Sequence, residues 1–278
     1  MELSEQAIAD VVAPALREDV GSGDLTTNLL VPPDRRCRAR LLLEEPGVVC
    51  GLPVAAAVFK ALDPTVALTA SSDEGARIAS APAVLAELVG PAAAILTGER
   101  AALNLVARLC GIATLTCRFV DQVAGTGVTI LDTRKTTPGL RALEKYAVRC
   151  GGGRNHRFGL DDAILVKENH LRIAGGISAA AAALSGQTNG LTVEVEAETL
   201  EQVAEALQAG VERILLDNMT PNQVAHAVKL TAGRATLEAS GGITIHSLRA
   251  YAETGVDYIS IGALTHAARS LHVSLEVQ

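Results

Sequence analysis

Along the chain the apolar positions change their spacing, and the change divides the sequence into two parts. In residues 4 to 20, Ile8, Val11, Val12, Ala15 and Leu16 recur at helical spacing, which predicts one helix with Pro14 as a kink point and Gly21-Ser22-Gly23-Asp24 as its end. Asp24-Leu25-Thr26-Thr27 reads as a loop. Alternating, β-rich segments follow near 37–45, 47–51, 65–70 and 84–90, with turn signals at Glu45-Pro46-Gly47 and Asp63-Pro64. Between them, Pro53 to Lys60 reads as one helix, with Pro53 suited to its first turn. A long helix is then predicted from after Pro91 or Thr97 to about Leu109, and a second helical stretch from beyond Gly111 to Val123.

From residue 128 the pattern becomes short apolar runs alternating with amphipathic helices. The runs are Val128–Leu131, Ala163–Val166, Leu191–Val195, Arg213–Leu216, Ala235–Ala239 and Tyr258–Ile261. Repeated strand-then-helix predicts a parallel α/β barrel, and the last strand ends, near Glu196, Asp217, Ser240 and Gly262, recur every 21 to 23 residues. The expected division is residues 1–112 as an N-terminal α/β module with a bridging helix, and 113–278 as the barrel. A return of the tail 270–278 to the first module is left open.

Composition adds limits. Of the 278 residues 49% are hydrophobic but only 2% aromatic, so the core must be aliphatic, as suits strands packed between helices. No apolar run approaches the roughly 18 to 20 residues that cross a bilayer, and the first residues lack a basic, then apolar, leader, so a cytoplasmic protein with no membrane partner is expected. A net charge of -7 and few aromatics argue against a nucleic-acid surface. Cys37, Cys50, Cys110, Cys117 and Cys150 are odd in number and widely spaced, which argues against a disulfide framework or a structural zinc site.

Against that acidic background, residues 132 to 157 hold seven Lys/Arg (Arg134, Lys135, Arg141, Lys145, Arg149, Arg154, Arg157) and two acids. Crowded cations repel unless an anion lies among them, so the run predicts the mouth of a site for a multiply anionic small molecule. Barrel chemistry sits at the carboxyl ends of strands, where Asp132-Thr133-Arg134-Lys135, Lys167, Glu194-Val195-Glu196, Asp217 and Glu238 are expected. Alternation turns Glu194 and Glu196 inward, and Glu196 with Asp217 is suited to hold a hydrated Mg2+. The same groups also suit a Lys/Glu network that only fills the barrel. Ser240-Gly241-Gly242 and Ser260-Ile261-Gly262 each follow a strand and precede a helix, as phosphate-binding turns do. Arg100 shares an edge of an apolar helix face and reads equally as a solvated arginine.

Several segments together resemble the quinolinate phosphoribosyltransferases over nearly the whole chain. They include Arg17–Thr27, Glu99–Asn104, Asp132–Gly139, Gly152–Arg157, Lys167–His170, Glu194–Glu196, Leu216–Asn218 and Ala239–Gly242, while His272 stands where an acid is expected. The resemblance implies an N-terminal α/β sandwich plus an open seven-stranded α/β barrel, in a homodimer or an oligomer of dimers. It implies transfer of the phosphoribosyl group of phosphoribosyl pyrophosphate to quinolinate, with loss of carbon dioxide, in de novo NAD biosynthesis. Lys135, Lys167, Glu196 and Asp217 are then the expected catalytic residues. Thr133, Arg134, His156, Arg157 and the partner's Arg100 join them in binding substrate. A nicotinate-type phosphoribosyltransferase or a non-catalytic anion-binding barrel are the alternatives.

Overall fold

The computed structural model describes residues 3–278 and divides into two units. The first holds the chain through Cys117 together with Thr136–Gly152 and Leu264–Gln278, and the second holds Arg118–Lys135 and Gly153–Ala263. Helix α1 (Glu5–Val20) begins where the Ser4 hydroxyl accepts from the Ala7 N–H, and it buries Ile8, Val11 and Val12. The expected loop at Asp24 is instead a cap: the Asp24 carboxylate accepts from both Thr27 N–H and Thr27 Oγ1 and starts α2 (Leu25–Leu30). Strands β1 (Arg36–Leu43) and β2 (Gly47–Val48) follow, then α3 (Leu52–Leu62) with Pro53 in its first turn, β3 (Ala67–Ala70), β4 (Arg77–Ile78) and β5 (Ala83–Pro91).

Helix α4 (Ala92–Gln122) is one continuous helix of 31 residues, where two stretches were expected. Gly111 does not break it. A Cβ there would lie 2.0 Å from the Arg269 carbonyl oxygen, so the glycine serves the close approach of another backbone. The unbroken helix is also long and apolar enough, by length and composition, to cross a membrane, unlike any stretch expected from sequence. Yet 67% of its most apolar window is buried inside the protein, and Ile95, Ala102, Val106, Ile112 and Ala113 have no exposed surface. It is built as an interior helix.

The second unit is strand-then-helix throughout. Strand β6 (Thr129–Leu131) precedes α5 (Arg141–Cys150), which belongs to the first unit. Then come β7 (Ile164–Val166), α6 (Glu168–Ala174), α7 (Ile177–Leu184), β8 (Val193–Ala197), α8 (Leu200–Gln208), β9 (Arg213–Asp217), α9 (Pro221–Thr231), β10 (Thr236–Ser240), α10 (Leu248–Ala252) and β11 (Tyr258–Ser260). Capping boxes at Thr199/Gln202 and Thr220/Gln223 start α8 and α9, with Pro221 in the first turn of α9. The strands form one parallel sheet in the order β6-β11-β10-β9-β8-β7. Six strands stand where seven were expected, and the seventh place is taken by a single parallel bridge, Leu131 to Arg154, on the free side of β6. One glycine-rich segment passes there too briefly to form a strand.

The chain ends with α11 (Ala263–His266) and β12 (Val273–Val277). Strand β12 pairs antiparallel with β1, Leu275 opposite Leu41, giving a first-unit sheet in the order β12-β1-β5-β3. Just before it, His272 N–H donates to Glu45, and the Arg269 guanidinium grips the same carboxylate, holding it down at a pKa of about 2. Gly111→Ala is expected to destabilise the protein by about 1 to 3 kcal/mol through overpacking against Arg269, read as a lowered denaturation midpoint. An unchanged midpoint would mean the helix and the Arg269 backbone separate easily.

Candidate active site

The carboxyl ends of the six parallel strands surround a cavity of about 580 Å³. Where β6 ends, Asp132 is fully buried, and its carboxylate accepts from the His156 N–H (2.8 Å) and Asn155 Nδ2 (2.6 Å). That clamp holds the end of the glycine-rich segment beside the next residues of β6, so Thr133, Arg134, Lys135, His156 and Arg157 all line the cavity. Asp132 is thus a positioning group.

The cationic side is crowded. Burial lowers the Arg157 pKa, and the Arg134 charge lowers it further, so the two guanidiniums repel one another. Arg134 Nε is buried with no hydrogen-bond partner, while Arg157 Nη1 donates to the Ala163 carbonyl at 3.2 Å. A buried donor left unsatisfied costs about 1 to 3 kcal/mol, which an arriving carboxylate or phosphate would recover.

The opposite side carries acids. Lys167 Nζ meets Glu196 Oε1 at 2.7 Å, and Glu196 Oε2 accepts the Glu168 N–H at 3.2 Å, at the start of α6. Burial, then the Glu196 charge, pushes Asp217 above the usual carboxylate range, although Lys167 and Lys135 pull it back. Two carboxylates that repel each other in one cavity are a donor set for a hard divalent cation. Both Glu196 oxygens have a partner and keep further lone pairs, so direct contact and contact through coordinated water both suit such a cation.

Gly241, at φ +95, lies against Asn218: a Cβ would sit 2.2 Å from Asn218 Oδ1, so only glycine fits. Ser240, Gly241, Gly242 and Ser260 line the cavity, with Ser260 Oγ donating to Ser240 Oγ at 3.0 Å. The turn does precede a helix, as expected, but α10 starts only at Leu248, so its first turn is not adjacent to Gly242. Ile261 does not line the cavity; its N–H is spent on the Leu131 carbonyl and its side chain is buried. Gly262 leads into α11 and is likewise outside the lining. Arg100, on α4 in the first unit, lines a separate depression with Asp19, Asp24 and Thr97.

Below the cavity lies a network that sequence reading only partly anticipated. Arg213 Nε meets Glu194 Oε1 at 2.9 Å and Nη2 meets Glu238 Oε2 at 2.6 Å, with the guanidinium 4.8 Å from the Tyr258 ring centroid. His156 Nε2 contacts Glu194 Oε2 at 3.0 Å, and its Nδ1 accepts the Arg157 N–H at 2.7 Å. Accepting at Nδ1 leaves the ring proton on Nε2, aimed at Glu194. Both ring nitrogens therefore work within the protein, and His156 fixes the backbone of Arg157. Inward Glu194 was legible from alternation. Arg213 opens its strand and gave no signal of its role.

An open parallel α/β barrel with a charged cavity at its carboxyl end defines a barrel enzyme site for an anionic ligand. The descriptions "Quinolinate phosphoribosyl transferase, N-terminal domain" and "Quinolinate phosphoribosyl transferase, C-terminal domain" match residues 24–110 and 112–276. The chain belongs to this family. It is 46% identical over 261 residues to the probable nicotinate-nucleotide pyrophosphorylase [carboxylating] of Bacillus subtilis (strain 168), covering 94% of this chain and 90% of that protein. It is 42% identical over 280 residues to the nicotinate-nucleotide pyrophosphorylase [carboxylating] of Mycobacterium leprae (strain TN), covering 98% and 97%. The crystal structure of NadC from Streptococcus pyogenes superposes with a TM-score of 0.95 at 39% identity, covering 100% of this chain and 99% of that one.

Burial, and then the Glu194 charge, raises the Glu238 pKa. For an acid so shifted the neutral form is favoured in the fold, so stability is lost as pH rises above the unfolded value of about 4.3. Glu238→Gln should therefore gain stability relative to the native protein as pH is raised from about 4 to 7. Melting curves across that range decide; a difference that moves the other way would mean that the pairing with Arg213 outweighs burial.

Proposed function

We infer that this protein transfers the phosphoribosyl group of phosphoribosyl pyrophosphate to quinolinate, releasing pyrophosphate and carbon dioxide and forming nicotinate mononucleotide for NAD biosynthesis. The observation that carries the reading to this cavity is the mutually repelling Arg134/Arg157 pair, one member of which keeps a buried, unpartnered donor. A dicarboxylate supplies two anionic groups for two forked guanidiniums. Lys135 and Lys167 extend the cationic wall, and Thr133 adds a hydroxyl.

Quinolinate held this way presents its ring nitrogen toward the acidic side. The nitrogen lone pair forms the new bond to the anomeric carbon while the bond from that carbon to the pyrophosphate oxygen breaks. Positive charge develops on the ribosyl centre, where the fixed anions Glu196 and Asp217 stabilise it. Lys167 keeps Glu196 oriented through their 2.7 Å contact. Gly241 and Gly242, bare of side chains, let backbone approach the ribose phosphate, with Ser240 and Ser260 beside them. Glu196 and Asp217 would hold Mg2+ through water, and the ion, when bound, neutralises charge on the departing pyrophosphate. Once the ring nitrogen is alkylated, the adjacent carboxylate leaves as carbon dioxide, its bonding electrons stay on the ring carbon, and a proton replaces it.

Arg100 lines a separate depression here, and the family resemblance implies that it serves the cavity of a second copy in a homodimer. Exposed Leu25, Leu29 and Leu30 on α2, with Leu25 lining the same depression as Arg100, offer the apolar surface such a partner would cover. The cysteines, none in a disulfide, agree with a reducing cytoplasm.

Carbon dioxide release that requires quinolinate, phosphoribosyl pyrophosphate and Mg2+ together tests the reaction; no carbon dioxide from quinolinate, and no pyrophosphate released with either quinolinate or nicotinate, would leave only an anion-binding barrel. Arg134→Lys and Arg157→Lys keep the charge and lose the fork, so each should weaken quinolinate binding tenfold or more by calorimetry. Binding within about twofold would remove these arginines from the clamp. For the dimer, mixing inactive Arg100→Ala and Lys167→Ala proteins should restore up to about a quarter of full activity, through heterodimers with one intact site. No recovery after verified subunit exchange would place Arg100 elsewhere.

A further inference from the structure

Away from the barrel, the first unit gathers groups that the proposed reaction does not use. Glu74 reaches the start of α3, where no side chain of the capping residue Gly51 serves, and accepts from the Gly51 N–H (2.9 Å) and the Leu52 N–H (2.8 Å). Tyr146 Oη donates to Glu74 Oε2 at 2.9 Å. Cys150, the last residue of α5, brings its Sγ to 3.9 Å from the same oxygen. Cys50, with no exposed surface, completes the group: its Sγ, the Cys150 Sγ and a Glu74 oxygen all lie within 4.8 Å of one another. Cys110 Sγ, in turn, accepts from the Cys50 N–H at 3.3 Å and fixes the Cys50 backbone.

We propose that Cys50, Cys150 and Glu74 form a binding site for a thiophilic d10 dication of the zinc class. The ligand types suit it: two sulfurs and a carboxylate, with the fourth position open to water or to the Tyr146 phenol. The spacing suits it as well. A tetrahedral ion at about 2.3 Å from each sulfur sets the sulfurs about 3.8 Å apart, inside the 4.8 Å limit. Binding expels the thiol protons to water and changes no oxidation state. An ion there gathers two thiolates and a carboxylate around one positive ion. The α3 N–H groups remain bonded to Glu74, because a carboxylate has lone pairs for both. Cys150 and Glu74 are partly exposed, which gives the ion its entry.

Cobalt titration of the reduced, full-length protein is the test, with Co2+ standing in for Zn2+. The expected result is a thiolate-to-cobalt charge-transfer band that saturates at one ion per chain and is displaced by Zn2+. Cys50→Ala and Cys150→Ser should abolish the band, Cys37→Ser should keep it, and Glu74→Gln should weaken binding about tenfold or more. If a cysteine variant fails to fold, the native protein still decides: Zn2+ should protect Cys150 from iodoacetamide. No charge-transfer band in reduced native protein, a band that survives in folded Cys50→Ala and Cys150→Ser, or alkylation of Cys150 at the same rate with and without Zn2+ would overturn the site.

Discussion

Charge buried among strand ends must be answered by opposite charge, and the second unit is arranged around that requirement. Arg213, Glu194 and Glu238 rise from three neighbouring strands, β9, β8 and β10, and meet beneath the cavity. Leaving any of these charges unpaired would cost several kcal/mol, so the strands are held in one register by their side chains as well as by their backbone ladder. His156 joins from the segment beside β6 and thereby ties the edge of the open sheet to its middle. What stands above this floor inherits its position.

The cavity itself breaks the rule that the floor obeys. Arg134 and Arg157 repel one another, as do Glu196 and Asp217, and the opposite charges nearby offset this only in part. Lys167 bridges to the acidic side through Glu196, and the Lys135 charge also acts on Asp217. Polarisation of this kind stores unfavourable energy in the free protein and returns it when a ligand of matching pattern arrives, anionic at one end and accompanied by a cation at the other.

In the first unit the same economy of carboxylates recurs as fastening. Glu144, fully buried, accepts from Arg108 Nε and Nη2 and from the Thr137 N–H and hydroxyl, so one side chain pins the turn that follows Arg134 and Lys135 in sequence. Glu74 does likewise for the start of α3. Each replaces a cap or turn bond that the local sequence does not supply.

The sequence by itself determined whatever depends on local periodicity and chain order. Alternation in Val193–Glu196 sufficed to turn both glutamates inward, because side chains in a strand alternate faces whatever surrounds them. Strand-then-helix repetition sufficed for the parallel barrel, whereas of the seven clustered cations Arg134, Lys135 and Arg157 line the cavity and Arg141, Lys145, Arg149 and Arg154 do not. Tertiary structure decided what depends on groups far apart in sequence. Gly111 signals a break when read locally, yet it stands inside an unbroken helix, where the approach of the Arg269 carbonyl leaves no room for a side chain. Asp24 caps a helix too short for periodicity to reveal, through the nearby Thr27 N–H, and only the fold brings Thr97 Oγ1, 73 residues away, to the same carboxylate. The orphaned Arg134 Nε, the spent Ile261 N–H and the meeting of Cys50 with Cys150 follow from packing alone, since no spacing rule relates residues brought together only when sheets and helices close.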